Sequence, residues 1–216
     1  MYKINKTFKF DAGHRVPTQH LDIKHSCNTP NKCKHMHGHE YKIDVCLTSS
    51  MLHDGMVLDF NNLNFFKKFI DQVLDHKFIL WVEDDLLINM LFKNNDIIMK
   101  SINKFKLDKE NTYDDGIINK VKLGKSENKY DDILIIKGTD ISDDLDERDL
   151  YESFVIVKFI PTAEELSYFL YKQIYNYFEE NGLSTHMIES VTVHETSTST
   201  ATYKHKERIN VASVYF

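Results

Sequence analysis

Two long stretches of the chain alternate apolar and polar residues with a period of two, and both carry histidine on the apolar side. Between Met1 and Arg15, residues Ile4, Phe8, Phe10, Ala12 and His14 share one parity, while Asn5, Lys9 and Asp11 share the other. Between His37 and Ser49, residues His37, His39, Tyr41, Ile43, Val45 and Leu47 fall together, and Glu40, Lys42, Asp44 and Cys46 oppose them. A strand turns successive side chains to opposite faces, so the pattern predicts two strands with one buried face each. If they pair antiparallel, the end of the first lies near the start of the second. His14, His37 and His39 then converge at one end of the core face. Neutral imidazole is a good zinc ligand, with Zn–N of about 2.0–2.1 Å, and three protein ligands leave an open position of catalytic type.

The segment Val16–Met36 reads as a loop, punctuated by Pro17, Asn28, Pro30 and Asn31. A helix follows Asp59, a plausible N-cap, with Leu63, Phe66, Ile70, Val73 and Leu74 at helical spacing, and ends near Asp75-His76. A second helix begins at Pro161-Thr162-Ala163-Glu164-Glu165, where Thr162 and Glu165 have capping-box spacing, and runs to Gly182. Val191, Val193 and Glu195 alternate with Thr192 and His194 in a third strand. Ala201–Phe216 holds at least one more.

Between the helices lies a segment of different character, from Phe78 to Glu152. Asp85–Phe92 suits a short helix and Ile133–Ile136 a strand. Lys106–Glu152 contains 8 basic and 14 acidic residues, a surplus that equals the net charge of −6 of the whole chain. This reads as a solvated, partly mobile surface insertion at about 96–152, dispensable for chemistry, within a single domain spanning 1–216.

Charge excludes some functions. With a net charge of −6 and no long basic stripe, nucleic-acid binding through phosphate neutralisation is disfavoured. No apolar run approaches the roughly 18 residues of a membrane span. Met1–Phe10 lacks the apolar core of a signal peptide. Three cysteines form no disulfide framework, which suits a reducing, cytoplasmic setting.

Further residues carry chemistry. Cys33 lies four positions before His37, and a thiol beside a cation can serve as base or ligand. Cys27 competes for that role. Asp75-His76 pairs a carboxylate with an imidazole, the arrangement of a proton relay, although a helix C-terminus also favours histidine. Glu195 has the parity of Val191 and Val193, so a carboxylate points where an apolar group is expected. A guanine-like or pterin ring, with adjacent N–H and NH2 donors, would satisfy it. Thr162 and Glu164 read equally well as a helix cap and a first-turn acid.

Six stretches in order carry a family resemblance: Phe8-Lys-Phe-Asp-Ala-Gly-His14-Arg15, Cys33-x-x-x-His37-Gly38-His39, Gly55-Met-Val-Leu-Asp59-Phe60, Leu74-Asp75-His76, Pro161-Thr162-Ala-Glu164 and His194-Glu195-Thr196. Together they resemble the 6-pyruvoyltetrahydropterin synthase / 6-carboxytetrahydropterin synthase family. The resemblance implies an α+β T-fold: a four-stranded antiparallel sheet with two helices on one face, assembled into barrels and commonly hexamers. It implies zinc on His14, His37 and His39, Cys33 as general base, and Asp75 and His76 as its relay. Glu195 would anchor the pterin, helped by Thr162 and Glu164. The cysteine four residues before His-Gly-His is most similar to the 6-carboxytetrahydropterin branch, which converts 7,8-dihydroneopterin triphosphate to 6-carboxytetrahydropterin, acetaldehyde and triphosphate in the queuosine route. The pyruvoyl branch is the alternative, and a non-catalytic zinc or pterin module is an alternative of another class. Glu40 departs from the asparagine usual after His39, and the insertion has no counterpart in the pattern.

Overall fold

The computed structural model describes residues 1–107 and 132–204, with the backbone of 122–123 and 126–127. In chain order the elements are strand β1 (Tyr2–His14), the short helix α1 (Ile23–Ser26), β2 (His37–Ser49), α2 (Asn64–Val73), β3 (Lys77–Trp81), α3 (Asp85–Phe92), α4 (Asp96–Leu107), β4 (Lys122–Leu123), β5 (Ser126–Glu127), β6 (Ile133–Ile135), α5 (Leu145–Glu152), β7 (Phe154–Val157), α6 (Ala163–Glu180), β8 (Ile188–His194) and β9 (Thr200–Lys204). Strands β4 and β5 form a separate two-stranded ribbon.

The expected antiparallel sheet is present as β1-β2-β8-β9. Its register follows from parity: Phe8 lies opposite Ile43, Phe10 opposite Tyr41, and Val45 opposite Val191. Residues directly opposite in an antiparallel ladder share a face, so these apolar side chains form one surface. Helices α2 and α6 cover it. Phe66, Phe69, Ile70 and Val73 of α2 are buried there, as are Leu166, Phe169, Leu170, Ile174 and Phe178 of α6. The Phe66 ring meets Phe8 edge-on at 5.1 Å, and Phe69 approaches Phe169 at 6.1 Å across the two helices.

Local chemistry sets the helix entries. The Asp59 carboxylate accepts from Asn61 N–H at 2.8 Å and opens a 3-10 turn, Phe60–Leu63, that runs into α2. Thr162 Oγ1 accepts from Glu165 N–H at 3.4 Å and caps α6. After α2 the backbone turns left-handed at His76, with φ of 57°.

The expectation of four strands and two helices is corrected. The sheet has seven strands, in the order β6-β7-β3-β1-β2-β8-β9, and α3, α4 and α5 are additional helices. The added strands are short and apolar, and they attach at the open edge of β1. There β3 pairs in parallel with Ala12 and Gly13, β7 pairs in parallel with β3, and β6 closes antiparallel. The layer has its own core, including Leu80, Leu87, Phe92, Ile98, Phe105 and Ile156. It is therefore not merely a solvated insertion. Ile133, Leu134 and Ile136 are buried, and Asp132 forms an ion pair with Lys172 of α6. A linker replacing Lys106–Glu152 would remove these buried groups and this ion pair. The helix expected at Asp85–Phe92 and the strand expected near Ile133–Ile136 are both present. Part of the acidic run, at 108–131 apart from the backbone of 122–123 and 126–127, and the tail from 205 lie outside the described residues.

Candidate metal centre

The β1–β2 register places His14 opposite His37 and Ala12 opposite His39. All three imidazoles thus emerge on the core face at one end of the sheet. Their ring centroids lie 4.4 Å (His14–His37), 5.3 Å (His14–His39) and 5.0 Å (His37–His39) apart. One ring nitrogen from each comes within 4.8 Å of the others, a spacing that can hold a metal ion.

The hydrogen bonds around the rings fit such an ion. His14 Nδ1 lies 2.6 Å from the Pro161 carbonyl, and His37 Nδ1 lies 2.8 Å from the His35 carbonyl. A carbonyl only accepts, so each Nδ1 carries the proton and Nε2 keeps its lone pair. Carbonyl-held imidazoles of this kind are how metal histidines are oriented. His14 Nε2 and His39 Nε2 are buried and make no hydrogen bond. An orphaned buried nitrogen is costly unless a ligand satisfies it. Burial pushes the His14 pKa down to about 4; the Pro161 carbonyl partly offsets this, and the neighbouring rings of His37 and His39 add to it. Burial likewise lowers that of His39, against the pull of Glu195. Both rings therefore favour the neutral form that a metal requires.

Glu195 stands one residue beyond the end of β8, not within the strand, yet its side chain keeps the predicted direction. Its Oε1 lies 3.5 Å from His14 Nε2 and 3.9 Å from His39 Nε2. Tyr41 completes the wall. It is 1% exposed, stacks on Phe10 at 5.0 Å and meets His39 and His14 at 5.6 and 5.9 Å. Burial, then Glu195, then Cys33 push its hydroxyl pKa up, which puts both groups within electrostatic reach of it. Tyr41 was not singled out from sequence, although it follows His37 and His39 on the same parity.

Cys33 sits half-buried on a 3-10 turn, Lys32–Lys34. Its N–H donates to Gln19 Oε1 at 2.9 Å, and its carbonyl accepts from Val16 N–H at 2.7 Å. Cys27 is exposed. Asp75 and His76 form a pair, with His76 Nδ1 3.0 Å from Asp75 Oδ2. Burial raises the Asp75 carboxyl, but hydrogen bonds from Asp11 N–H and His76 outweigh it and hold it below the usual carboxylate range. Among the described residues no hydrogen bond joins this pair to Cys33. A shallow, open depression of about 530 Å³ does connect His76 with His39, over Gly13, Gly38 and Phe78. Thr162 is occupied as the α6 cap and Glu164 stands in its first turn, directly after the Pro161 carbonyl that holds His14. Glu40 faces away and pairs with Lys9 at 2.9 Å.

The family model for 6-pyruvoyl tetrahydropterin synthase matches residues 3–206. The chain belongs to this family. A relative from Aquifex aeolicus, 6-carboxy-5,6,7,8-tetrahydropterin synthase, is 28% identical over 210 residues, 94% of this chain and 98% of its own length. A protein of the same name from Haemophilus influenzae is 34% identical over 84 residues, 37% of this chain and 52% of its own. Among solved structures, an uncharacterized protein from Wolinella succinogenes, WS1659, superposes with a TM-score of 0.70 at 30% identity, covering 95% of this chain and 98% of that one. The fold of this chain therefore matches a solved structure over nearly its full length. No helix among the described residues is long and apolar enough to cross a membrane.

Proposed function

We propose that this protein is a zinc-dependent 6-carboxy-5,6,7,8-tetrahydropterin synthase, converting 7,8-dihydroneopterin triphosphate to 6-carboxytetrahydropterin, acetaldehyde and triphosphate. The observation that carries this reading is the convergence of His14, His37 and His39, with two buried nitrogens left without hydrogen bonds. The near full-length similarity to the Aquifex aeolicus enzyme supports the choice of reaction. Zinc in this position would polarise the hydroxyls of the substrate side chain and lower their pKa.

The chain's own residues divide the remaining work. Cys33, on its anchored turn, takes a proton from the side-chain carbon. Asp75 fixes His76, which passes protons at the rim of the depression. Glu195 accepts the paired N–H donors of the pterin edge, and Thr162 and Glu164 border that end of the site. The subunit assembles with copies of itself into a barrel, as a hexamer. Among the described residues, the outer edge of β1 pairs with another strand only at Ala12 and Gly13, which leaves residues before Asp11 to extend a sheet. Three free cysteines suit a cytoplasmic protein on the queuosine route.

One experiment tests the reaction. The zinc-loaded protein is incubated with 7,8-dihydroneopterin triphosphate and the products are identified by mass. 6-Carboxytetrahydropterin with acetaldehyde is the expected outcome. A 6-pyruvoyl product with triphosphate alone would favour the activity after which the matching family model is named. Zinc bound without turnover would make the chain a binding module.

A further inference from the structure

The end of β1 that carries His14 is held from outside the four core strands. β3 pairs with Ala12 and Gly13, the two residues before the histidine. The Phe78 ring lies so close over Gly13 that a Cβ there would fall inside van der Waals contact. On the other side of His14, Arg15 Nε stands 2.8 Å from Asp84 Oδ2, an ion pair off the axis of a linear hydrogen bond. Asp84 is 5% exposed and also caps α3, accepting from Leu87 N–H at 3.4 Å. The added layer therefore grips the chain immediately before and immediately after this one imidazole. His37 is held differently, by the carbonyl of His35 in its own loop.

A buried ion pair adds little net stability, but it fixes the geometry of the backbone that carries it, and removing one partner strands the other charge. We propose that Arg15 and Asp84 are a positioning pair through which the added layer sets the direction of the His14 ring at the metal centre. The inference rests on reading the three histidines as metal ligands. Arg15 also precedes Val16, whose N–H holds the Cys33 carbonyl at 2.7 Å, so the same pair steadies the cysteine turn.

Cobalt(II) reports the outcome without turnover. Metal-free protein is titrated with Co2+ against a competing chelator, and the ligand-field absorption of the bound ion is recorded. Asp84→Asn keeps an oxygen for the α3 cap and removes the charge. It should weaken cobalt binding about tenfold and change the absorption, as loss of an outer partner of a ligand does. Asp84→Glu, which restores the charge, should recover part of both. Ile102→Ala, in the second core away from β1, should lower the thermal midpoint and leave cobalt binding as in wild type. Should Asp84→Asn fail to fold, Arg15→Lys reads the same property, because it keeps the charge and loses the planar fork. Wild-type affinity and absorption in Asp84→Asn or Arg15→Lys would overturn the proposal. So would an Ile102→Ala loss as large as that of Asp84→Asn, which would make the effect one of stability alone. Wild-type cobalt binding in His14→Ala would instead remove the metal reading itself, and this inference with it.

Discussion

His14 and His37 stand directly opposite each other across the β1–β2 ladder, with ring centroids 4.4 Å apart. The pair is made by register alone, since a one-residue slip would send one ring to the other face of the sheet. With His39 two residues on, the ladder itself builds a three-nitrogen site.

The first prediction follows from that site. His37→Ala and His39→Ala should each lose most of the roughly one zinc per chain, because removing one of three ligands weakens binding severely. Elemental analysis after dialysis provides the measurement. Full zinc content in both variants would refute the ligand assignment.

The second concerns pH and the metal-free protein. His14 has a pKa of about 4 in the fold, against 6.5 when unperturbed. Between these values the unfolded chain takes up a proton that the folded chain refuses. Stability is therefore untouched above 6.5 and is lost as the pH falls toward 4, by roughly 3 kcal/mol in all. His14→Gln removes this titration. Denaturant unfolding of metal-free wild type and variant from pH 7.5 to 4.5 should give a shallower acid loss in the variant. Parallel curves would mean that the ring is not held neutral.

Much of this centre was legible in the sequence, because alternation is unbroken along β1 and β2 and fixes which side chains share a face. Glu195 was placed on the right side although β8 ends at His194, since the parity carries one residue past the last ladder bond. The added layer was not legible. Ile79 and Leu80 are both buried on successive positions of β3, as are Val155, Ile156 and Val157 on β7. A short strand covered on both faces has no alternation to read. The surplus acidic charge nearby then suggested solvent where a second core lies. The Arg15–Asp84 pair could not be foreseen either, because it joins residues that only the attachment of β3 to β1 brings together.

The third prediction tests that attachment. Gly13→Ala would drive a Cβ into the Phe78 ring, and overpacking of this kind costs about 1–3 kcal/mol. A Gly13→Ala, Phe78→Ala double variant should lose less than the sum of the two single changes, because the clash is gone. Chemical denaturation of the four proteins gives the comparison. Simple additivity would show that the ring does not rest on this glycine.

The fourth concerns the base. Cys33→Ala should reduce turnover by about 10²- to 10⁴-fold while zinc content and fold remain. The hydrogen bonds of Cys33 with Gln19 and Val16 use its backbone, so alanine keeps them. The thiol is not among the three groups that converge on the metal position. Cys27→Ala should stay active. Loss of zinc in Cys33→Ala would make the thiol a ligand, and a dead Cys27→Ala with an active Cys33→Ala would transfer the role.

The last prediction separates pterin binding from zinc chemistry. Glu195 lies beside His14 and His39 but beyond the end of its strand, with its side chain 25% exposed, so one edge of the carboxylate is open to a ligand. A pterin ring offers an N–H and an NH2 side by side, which a carboxylate accepts together. Glu195→Gln keeps the volume and one acceptor oxygen but turns a donor toward a ring N–H. Losing a charge-assisted paired contact should cost about 2–4 kcal/mol of pterin binding, or roughly 30- to 1000-fold. The change touches none of the three histidines, and His14 and His37 keep their carbonyl partners, so zinc content should hold. Titration of both proteins with a pterin, followed by ring fluorescence, measures the difference. Equal affinity would leave Glu195 as a neighbour of the metal ligands with no part in recognising the ring.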